Sequence, residues 1–231
     1  MRNLRIGLMV VLAVLWSAAV WADQGDRDDK GDKDDFAPVP QTGQVISYDA
    51  NTPKRDDGAL QEGVELPTPR FTDNGDGAIK DNLTGLIWLK NANCPGRTTT
   101  WQGALDFVAE LNTSGTMNNI DCGDTSGKRG SHRTDWRLPN IRELFSLVDF
   151  GVFVFQSPVI SNAKGDAGCA PDDCAFSNFQ AANYWSSTTN AVGSGSNTAW
   201  KLFFNSGEVN RDFKGSGNVF VTAVRGDSED R

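Results

Sequence analysis

Few side chains in this sequence could carry out catalytic chemistry. The 231 residues include one histidine, His132, and four cysteines. A single histidine excludes zinc sites with several histidine ligands, and a Ser–His–Asp triad would have to be built on His132. The 30 aspartates and glutamates are so numerous that carboxylate pairs carry no information about catalysis. The inventory of reactive groups therefore favours a protein that is not an enzyme.

The four cysteines pair most locally as Cys94 with Cys122 and Cys169 with Cys174. In an oxidising compartment four cysteines typically form two disulfides, and of the three connectivities this one closes the most local loops. Each bridge would contribute about 2–4 kcal/mol to stability. Two alternatives stay open. One is a zinc site, although the usual C-x2-C spacing is missing; the other is a reactive pair formed by Cys169 and Cys174.

Residues 1–22 have the pattern of a secretory signal peptide. Arg2 and Arg5 precede an apolar run, and the segment ends in small residues at the positions that a signal peptidase reads. A membrane-spanning helix needs about 20 apolar residues, which is longer than this run. We therefore expect cleavage after Ala22, no membrane span after cleavage, and a secreted, periplasmic or cell-surface location.

Composition divides the rest of the chain into four segments. Residues 23–36 form an acidic linker with seven acidic and three basic side chains, which we expect to be a disordered, solvated spacer or, as an alternative, to bind calcium. Residues 37–69 are mixed and rich in Pro and Gly, and we expect an extended lead-in with one short strand at 45–48. The folded domain is predicted at 70–226 and is followed by a tail at 227–231.

Local patterns predict a hairpin and two helices in the first part of the domain. The run Asn-Gly-Asp-Gly at 74–77 is a strong hairpin signal. Apolar residues recur at helical spacing over 101–112 and over 141–149, which predicts two amphipathic helices. Thr100 and Asn140 stand at the positions of their N-caps.

The last third of the chain alternates short β-like runs with Gly- and Ser-rich turns. Two early helices followed by a meander of short, mainly antiparallel strands predict an α+β domain. Residues 191–197 are expected to form a flexible polar loop. Strands are predicted at 78–80, 86–89, 184–188, 199–204 and 219–224, with a further short strand after the turn at 205–207.

A series of motifs, taken in order, resembles one known family. They are RFTDNGDG (70–77), DNLTGLIW (81–88), WQ (101–102), DWRLPN (135–140), EL (143–144), YWSS (184–187) and AVRG (223–226). Together they are similar to the Lcl C-terminal domain family, named for a collagen-like bacterial adhesin, over about residues 39–226. The resemblance implies a C-type-lectin-like fold, distantly similar to the formylglycine-generating sulfatase-modifying factors, whose Arg-Leu-Pro segment is like 137–139 here.

The sequence departs from the family pattern at three points. It has no Gly-X-Y collagen tract, so the adhesin's trimeric stalk is not implied. Thr222 stands where relatives often carry a basic or bulkier residue. The usual Gly-Gly ending is Gly226-Asp227, which creates an Arg-Gly-Asp tripeptide at 225–227. We interpret this tripeptide as a strand end of the family and not as an integrin-binding motif.

The resemblance implies a ligand such as a sulfated polysaccharide, which requires clustered lysines and arginines. The formal net charge of −8 argues against a nucleic-acid partner, but residues 128–142 and 197–225 are locally basic. If they meet on one face, they could hold an extracellular or surface glycan, including a sulfated one, because potential is local over a Debye length of about 8 Å. The competing interpretation is that Arg137, Arg142 and Arg225 form internal ion pairs.

Aromatic and cationic side chains beside the polar loop form the candidate binding surface. Trp200 borders the loop and alternates with Lys201, and sugars stack on indole faces. Trp88, Trp136 and Trp185 lie inside apolar motifs and are expected in the core. The candidate ligand-binding residues are Asn197, Trp200, Lys201, Arg211, Phe213 and Lys214.

Asp73, Asp76 and Asp81 are a weaker candidate set, for calcium. Carboxylate oxygens cluster there, but an EF-hand register would place Leu83 at the twelfth position, where a glutamate belongs. The alternative is a turn that needs Asn, Asp and Gly for its geometry. No other cofactor is expected.

Two functions from different classes are compatible with these observations. The first is an exported, non-catalytic domain that binds a ligand, which we expect to be a glycan in adhesion, through the loop at 191–198 and the strands at 200–214. The second is a structural or protein-interaction module of a bacterial cell-envelope assembly without a sugar site.

Overall fold

A computed structural model describes residues 39–152, 158–170, 172–192 and 197–226. The expected signal peptide (1–22), acidic linker (23–36) and tail (227–231) lie outside the described residues, as does part of the polar loop. The elements, in chain order, are α1 (Asp57–Leu60), β1 (Phe71–Asp73), β2 (Ala78–Asp81), β3 (Ile87–Leu89), α2 (Trp101–Ser114), β4 (Thr116–Met117), β5 (Ile120–Asp121), a 3₁₀ turn (Lys128–Gly130), α3 (Ile141–Phe145), β6 (Asn183–Thr189), β7 (Thr198–Phe203), β8 (Glu208–Phe213) and β9 (Val224–Arg225).

The predicted hairpin opens a four-stranded antiparallel sheet whose order is β1-β2-β3-β9. Phe71 pairs with Asp81 across the hairpin. Its turn contains Gly75 and Gly77, whose φ angles of 75° and 84° lie in the left-handed region that favours glycine. The hairpin signal at 74–77 is therefore confirmed.

The bounds predicted for the last strand, 219–224, are wrong. Val219 and Phe220 form isolated bridges to Thr99 and Tyr184. Only β9, at the end of this run, becomes a strand, and it pairs with β3. The run is broken because it passes from the side of β6 into the first sheet.

Helix α2 is confirmed at its predicted start and continues two residues beyond the predicted 101–112, to Ser114. The Thr100 hydroxyl accepts a hydrogen bond of 3.1 Å from the Gly103 amide, which caps the first turn. Gly115 ends the helix in the left-handed conformation. The residues that α2 buries are Ala104, Val108 and Leu111.

Helix α3 begins as predicted but is shorter than predicted. The Asn140 side chain accepts from the Glu143 amide, and the Glu143 carboxylate accepts from the Asn140 amide at 2.8 Å, which forms a capping box. The helix ends at Phe145 and not at Asp149. The Asp149 amide instead donates to the Val159 carbonyl at 3.1 Å, so the chain has already turned away.

Strands β6, β7 and β8 form an antiparallel meander in that order. Tyr184 lies opposite Leu202, and Leu202 lies opposite Val209. Together with the helices, the antiparallel sheets confirm the α+β class. Helix α1, in the lead-in, was not predicted.

Core residues lie on both faces of the first sheet. All three residues of β3 are buried. Ile87 and Leu89 pack in the cluster that contains the buried face of α2. Trp88, which points the other way, packs with Leu144 of α3 and with Tyr184 of β6. The sheet is therefore the middle layer between two apolar cores. Trp88, Trp136 and Trp185 are all buried, as expected.

The lead-in does not contain the strand predicted at 45–48. Asp56 instead holds this segment by hydrogen bonds. Its carboxylate accepts one of 2.6 Å from the Ser47 hydroxyl and one of 2.6 Å from the Tyr48 amide. Asp56 is also the N-cap position of α1. These hydrogen bonds hold residues 47–56 as a loop.

Both predicted disulfides are confirmed. Cys94 is bonded to Cys122, with 5.3 Å between their Cα atoms. Cys169 is bonded to Cys174, with a Cα separation of 4.5 Å. None of the four cysteines is free.

A buried ion pair connects the first sheet to α3. The Arg70 guanidinium donates to both carboxylate oxygens of Asp81, at 3.1 and 2.9 Å, and to the Ser146 carbonyl at 2.9 Å. The two side chains are 1% and 0% exposed. Asp81 also accepts from the Leu83 amide and the Thr84 hydroxyl. Burial lowers the pKa of Arg70, and the Asp81 carboxylate opposes this effect.

We predict that Asp81→Asn lowers the free energy of unfolding by about 3–5 kcal/mol, because it removes the carboxylate that pairs with the buried Arg70 cation. Urea unfolding followed by circular dichroism measures the change. The matched control is the double variant Arg70→Met/Asp81→Asn, which buries no cation and should recover part of the loss. A single variant as stable as the wild type would contradict the interpretation.

Candidate ligand-binding surface

The register of the second sheet places Trp200, Arg211 and Phe213 on one face. Trp200 lies opposite Arg211, and Thr198 lies opposite Phe213. Opposed residues of paired strands point to the same face, as do residues two positions apart along a strand. Val209 shares this face for the same reason. We call the surface formed by Trp200, Val209, Arg211 and Phe213 the Trp200 face.

The hydrogen-bond pattern of the ladder determines how Trp200 and Arg211 face each other. The Lys214 amide donates to the Asn197 carbonyl at 2.8 Å, so these two residues form a hydrogen-bonded pair just beyond the strands. Hydrogen-bonded and non-hydrogen-bonded pairs alternate along an antiparallel ladder. Trp200 and Arg211 are therefore a non-hydrogen-bonded pair, the kind in which facing side chains approach most closely.

The Trp200 face is exposed along β8, whereas Leu202, on the same side of β7, is fully buried. The exposed part of this face combines apolar with cationic groups. Phe213 is 68% exposed and Val209 is 38% exposed. Arg211 is exposed, and Trp200 is half-buried. Aromatic rings offer flat apolar contact area, and a guanidinium recognises carboxylate or sulfate oxygens with two parallel donors. Such a surface can bind a ligand that carries both flat apolar and anionic groups.

Lys201 lies on the opposite face of the same sheet and is not part of this surface. Its ammonium group forms an ion pair of 2.7 Å with Asp212, and its side chain is 12% exposed. The hydrogen bond from Lys201 lowers the pKa of the Asp212 carboxyl. Lys201 therefore neutralises Asp212 within the sheet and lies apart from the candidate residues of the Trp200 face.

Lys214 and Asn197 lie at the end of the sheet, where they meet α2. The Lys214 ammonium lies 4.0 Å from the centre of the Trp101 ring, a cation–π contact. The Trp101 amide donates to the Lys214 carbonyl at 2.9 Å, and the Trp101 indole donates to the Ser186 carbonyl at 2.8 Å. Lys214 is thus engaged with Trp101, while Asn197 is exposed beside it.

Trp101 and Val209 are two surface neighbours that sequence reasoning missed. The sequence pattern placed Trp101 in the apolar stripe of α2. In the structure Trp101 is only partly buried, and its ring contacts the Lys214 ammonium. Val209 could have been predicted from the sequence, because it precedes Arg211 by two positions and side chains two apart on a strand point to the same face.

The two basic segments meet through other residues than those on the Trp200 face. Arg137 forms a β-bridge with Val224, and the Arg225 guanidinium lies 5.3 Å from the centre of the Trp136 ring. Arg225 is 4% exposed, and burial lowers its pKa. The Arg-Gly-Asp tripeptide therefore cannot present its arginine, which agrees with a strand end.

The expected internal ion pairs are confirmed for one arginine of three. Arg137 pairs with Glu143 at 2.6 Å, and this contact raises the pKa of Arg137. Arg225 stacks on Trp136 instead. Arg142 has no carboxylate partner within the described ranges and borders an apolar cleft beside α3.

Asp124 organises the loop that precedes this basic region. Its carboxylate accepts hydrogen bonds from the Trp136 indole at 2.6 Å, from the Arg133 amide at 2.8 Å and from the Ser126 amide at 3.0 Å. Burial alone would raise the pKa of Asp124, but these hydrogen bonds outweigh burial and lower it. The ionised carboxylate therefore stabilises the fold.

The candidate calcium set is not assembled. Asp73 pairs with Lys90 at 2.6 Å, and Asp76 accepts from the Ala78 amide at 3.1 Å. Asp81 is occupied by the buried Arg70 cation. No group of three metal-ligating side chains occurs in the described part of the chain. These aspartates hold the hairpin and its neighbours in place.

Comparisons with known proteins identify one family. The profile described as the Lcl C-terminal domain matches residues 77–225. No curated protein matches the sequence. Across the described residues, no helix combines the length and the apolarity needed to cross a bilayer.

Acidification should destabilise the protein through Asp124. Since its pKa is lower in the folded state, its contribution is present above the unfolded pKa of about 3.9 and is lost as the pH falls through the folded pKa. Asp124→Asn should cost about 1–3 kcal/mol at pH 7 and flatten the acid limb of stability. Urea unfolding at pH 3–7 measures this, with the exposed Asp135→Asn as control. An unchanged acid limb in Asp124→Asn would contradict the assignment.

Proposed function

The chain belongs to the Lcl C-terminal domain family, and on that premise we propose that it is an exported, non-catalytic domain that binds a glycan. The domain is adhesin-like by its family. The observation that carries the finer proposal is the register of β7 and β8, which places Trp200, Arg211 and the exposed Phe213 on the same face of two paired strands.

The chemistry of the Trp200 face fits an anionic sugar. The rings of Trp200 and Phe213 can stack on the apolar faces of pyranose rings. Arg211 can pair with a sulfate or carboxylate held between them. Because the net charge of the chain is −8, attraction to an anion has to be local. Arg211 lies on one face of the sheet, and the Lys201–Asp212 ion pair lies on the other face.

The state of the cysteines supports a role without thiol chemistry. All four sulfur atoms are held in disulfides. The Cys94–Cys122 bridge ties the loop after β3 to the segment after β5. The two bridges and the adhesin-type domain agree with an extracellular location. Export through the segment 1–22 completes the proposal.

One observation favours a second function, a protein-interaction module. A cleft of about 300 Å³ lies between the lead-in and α3 and is lined mainly by apolar side chains, among them Leu66, Phe145 and Phe150. Phe145 and Phe150 are 41% and 46% exposed. Tyr48, which is 68% exposed, lines a neighbouring cleft. Exposed apolar areas of this kind mark protein contacts in many proteins.

We predict that Arg211→Ala weakens binding to sulfated glycans about tenfold or more, equivalent to about 1.4 kcal/mol, and reduces the salt dependence of binding. A glycan array with neutral, carboxylated and sulfated members, read at several salt concentrations, measures this. Lys128→Ala removes one exposed cation from the other basic segment and should bind like the wild type. Wild-type protein that retains no glycan at any salt concentration would overturn the proposal.

A second pair of variants separates the two functions. Phe213→Ala should weaken glycan binding about tenfold through lost stacking. Tyr48→Ala is its matched control, since both aromatic side chains are 68% exposed. Equal loss of glycan binding in both variants would argue against the Trp200 face. Loss of a protein partner in Tyr48→Ala alone would support the interaction module.

A further inference from the structure

Strand β8 is the outer strand of the second sheet. The order β6-β7-β8 leaves one side of β8 without a paired strand among the described residues. The pair Asn197–Lys214 fixes which backbone groups point outward. Because that pair is hydrogen-bonded, the alternation of the ladder makes Ala199–Asp212 and Lys201–Asn210 hydrogen-bonded too.

The amides of Val209, Arg211 and Phe213 therefore point away from β7, toward the open side of the strand. A six-residue strand with a row of outward amides and carbonyls is a template for another strand. The strand most readily available to any protein is the same strand of a second copy, paired antiparallel about a two-fold axis.

Two of these outward amides are already occupied by side chains of β8 itself. The Asn210 side-chain oxygen accepts a hydrogen bond of 2.8 Å from the Arg211 amide. The Asp212 carboxylate accepts a hydrogen bond of 2.8 Å from the Phe213 amide. Each acceptor belongs to the residue immediately before the amide that it covers, so the same arrangement occurs twice along the strand.

The two acceptors are themselves held in position. The Asn210 amide group donates to Glu208 at 3.2 Å. Asp212 accepts from the Lys201 ammonium at 2.7 Å and from the Ser216 hydroxyl at 2.8 Å. The outward carbonyl of Phe213 also accepts from the Ser216 amide at 2.8 Å, which closes this end of the strand.

We propose that Asn210 and Asp212 guard the open side of β8 against pairing with β8 of a second copy. An incoming strand would have to break both side-chain hydrogen bonds before it could form its own. It would also have to remove water from the charged groups of Glu208, Arg211 and Asp212. These side-chain hydrogen bonds keep β8 unpaired, so the Trp200 face stays at the edge of the sheet. The proposal rests on the hydrogen bonds and does not depend on glycan binding.

The test is the variant Asn210→Val, which removes one acceptor and places a β-branched side chain in an exposed strand. Sedimentation velocity of the full chain over a range of concentrations measures self-association. We expect Asn210→Val to associate with a dissociation constant at least about tenfold below that of the wild type. Asn210→Asp keeps an acceptor oxygen at the same position and should sediment like the wild type.

Two further measurements locate the effect. Adding Val209→Pro to Asn210→Val removes an outward amide and should restore wild-type sedimentation, since proline is tolerated at this side of an outer strand. Hydrogen exchange of the dilute proteins should show a faster Arg211 amide in Asn210→Val. Sedimentation of Asn210→Val identical to the wild type, or association that Val209→Pro leaves unchanged, would overturn the proposal.

Discussion

The ion pair between Arg70 and Asp81 joins three parts of the domain that are distant in sequence. Asp81 is the last residue of β2, and its carboxylate accepts a hydrogen bond from the Leu83 amide in the following turn. Arg70 precedes β1 and donates a hydrogen bond to Asp81 and another to the Ser146 carbonyl after α3. Both charges are buried, so neither can lose its partner without leaving a charge in an apolar environment. The contact fixes where α3 ends relative to the hairpin, and the aromatic core that contains Phe71 is built around it.

Strand alternation then determines which charged residues are structural and which face solvent. On β7 and β8 one face carries the Lys201–Asp212 pair, and the other carries Trp200 beside Arg211. A cation that pairs within its own sheet contributes little to an external field, whereas Arg211 is exposed on the other face. A chain with an acidic bulk can in this way display a cationic and aromatic surface of limited size.

The features that could be predicted from the sequence are those that local chemistry decides. The cap at Thr100, the Gly-rich hairpin turn at 74–77 and the disulfide between Cys169 and Cys174 depend on residues close together in the chain. The early end of α3 depends on a carbonyl that Val159 supplies from a later segment, which no local pattern contains. The face of Lys201 was predictable, since residues one apart on a strand point to opposite sides.

Strand β9 completes the first sheet by pairing with β3, across more than half of the chain. Folds dominated by such long-range pairs form slowly, because the loop must close before the contact is gained. The middle layer of the domain is incomplete until residues 224–225 pair with β3, so the domain cannot finish folding before nearly all of its chain is available.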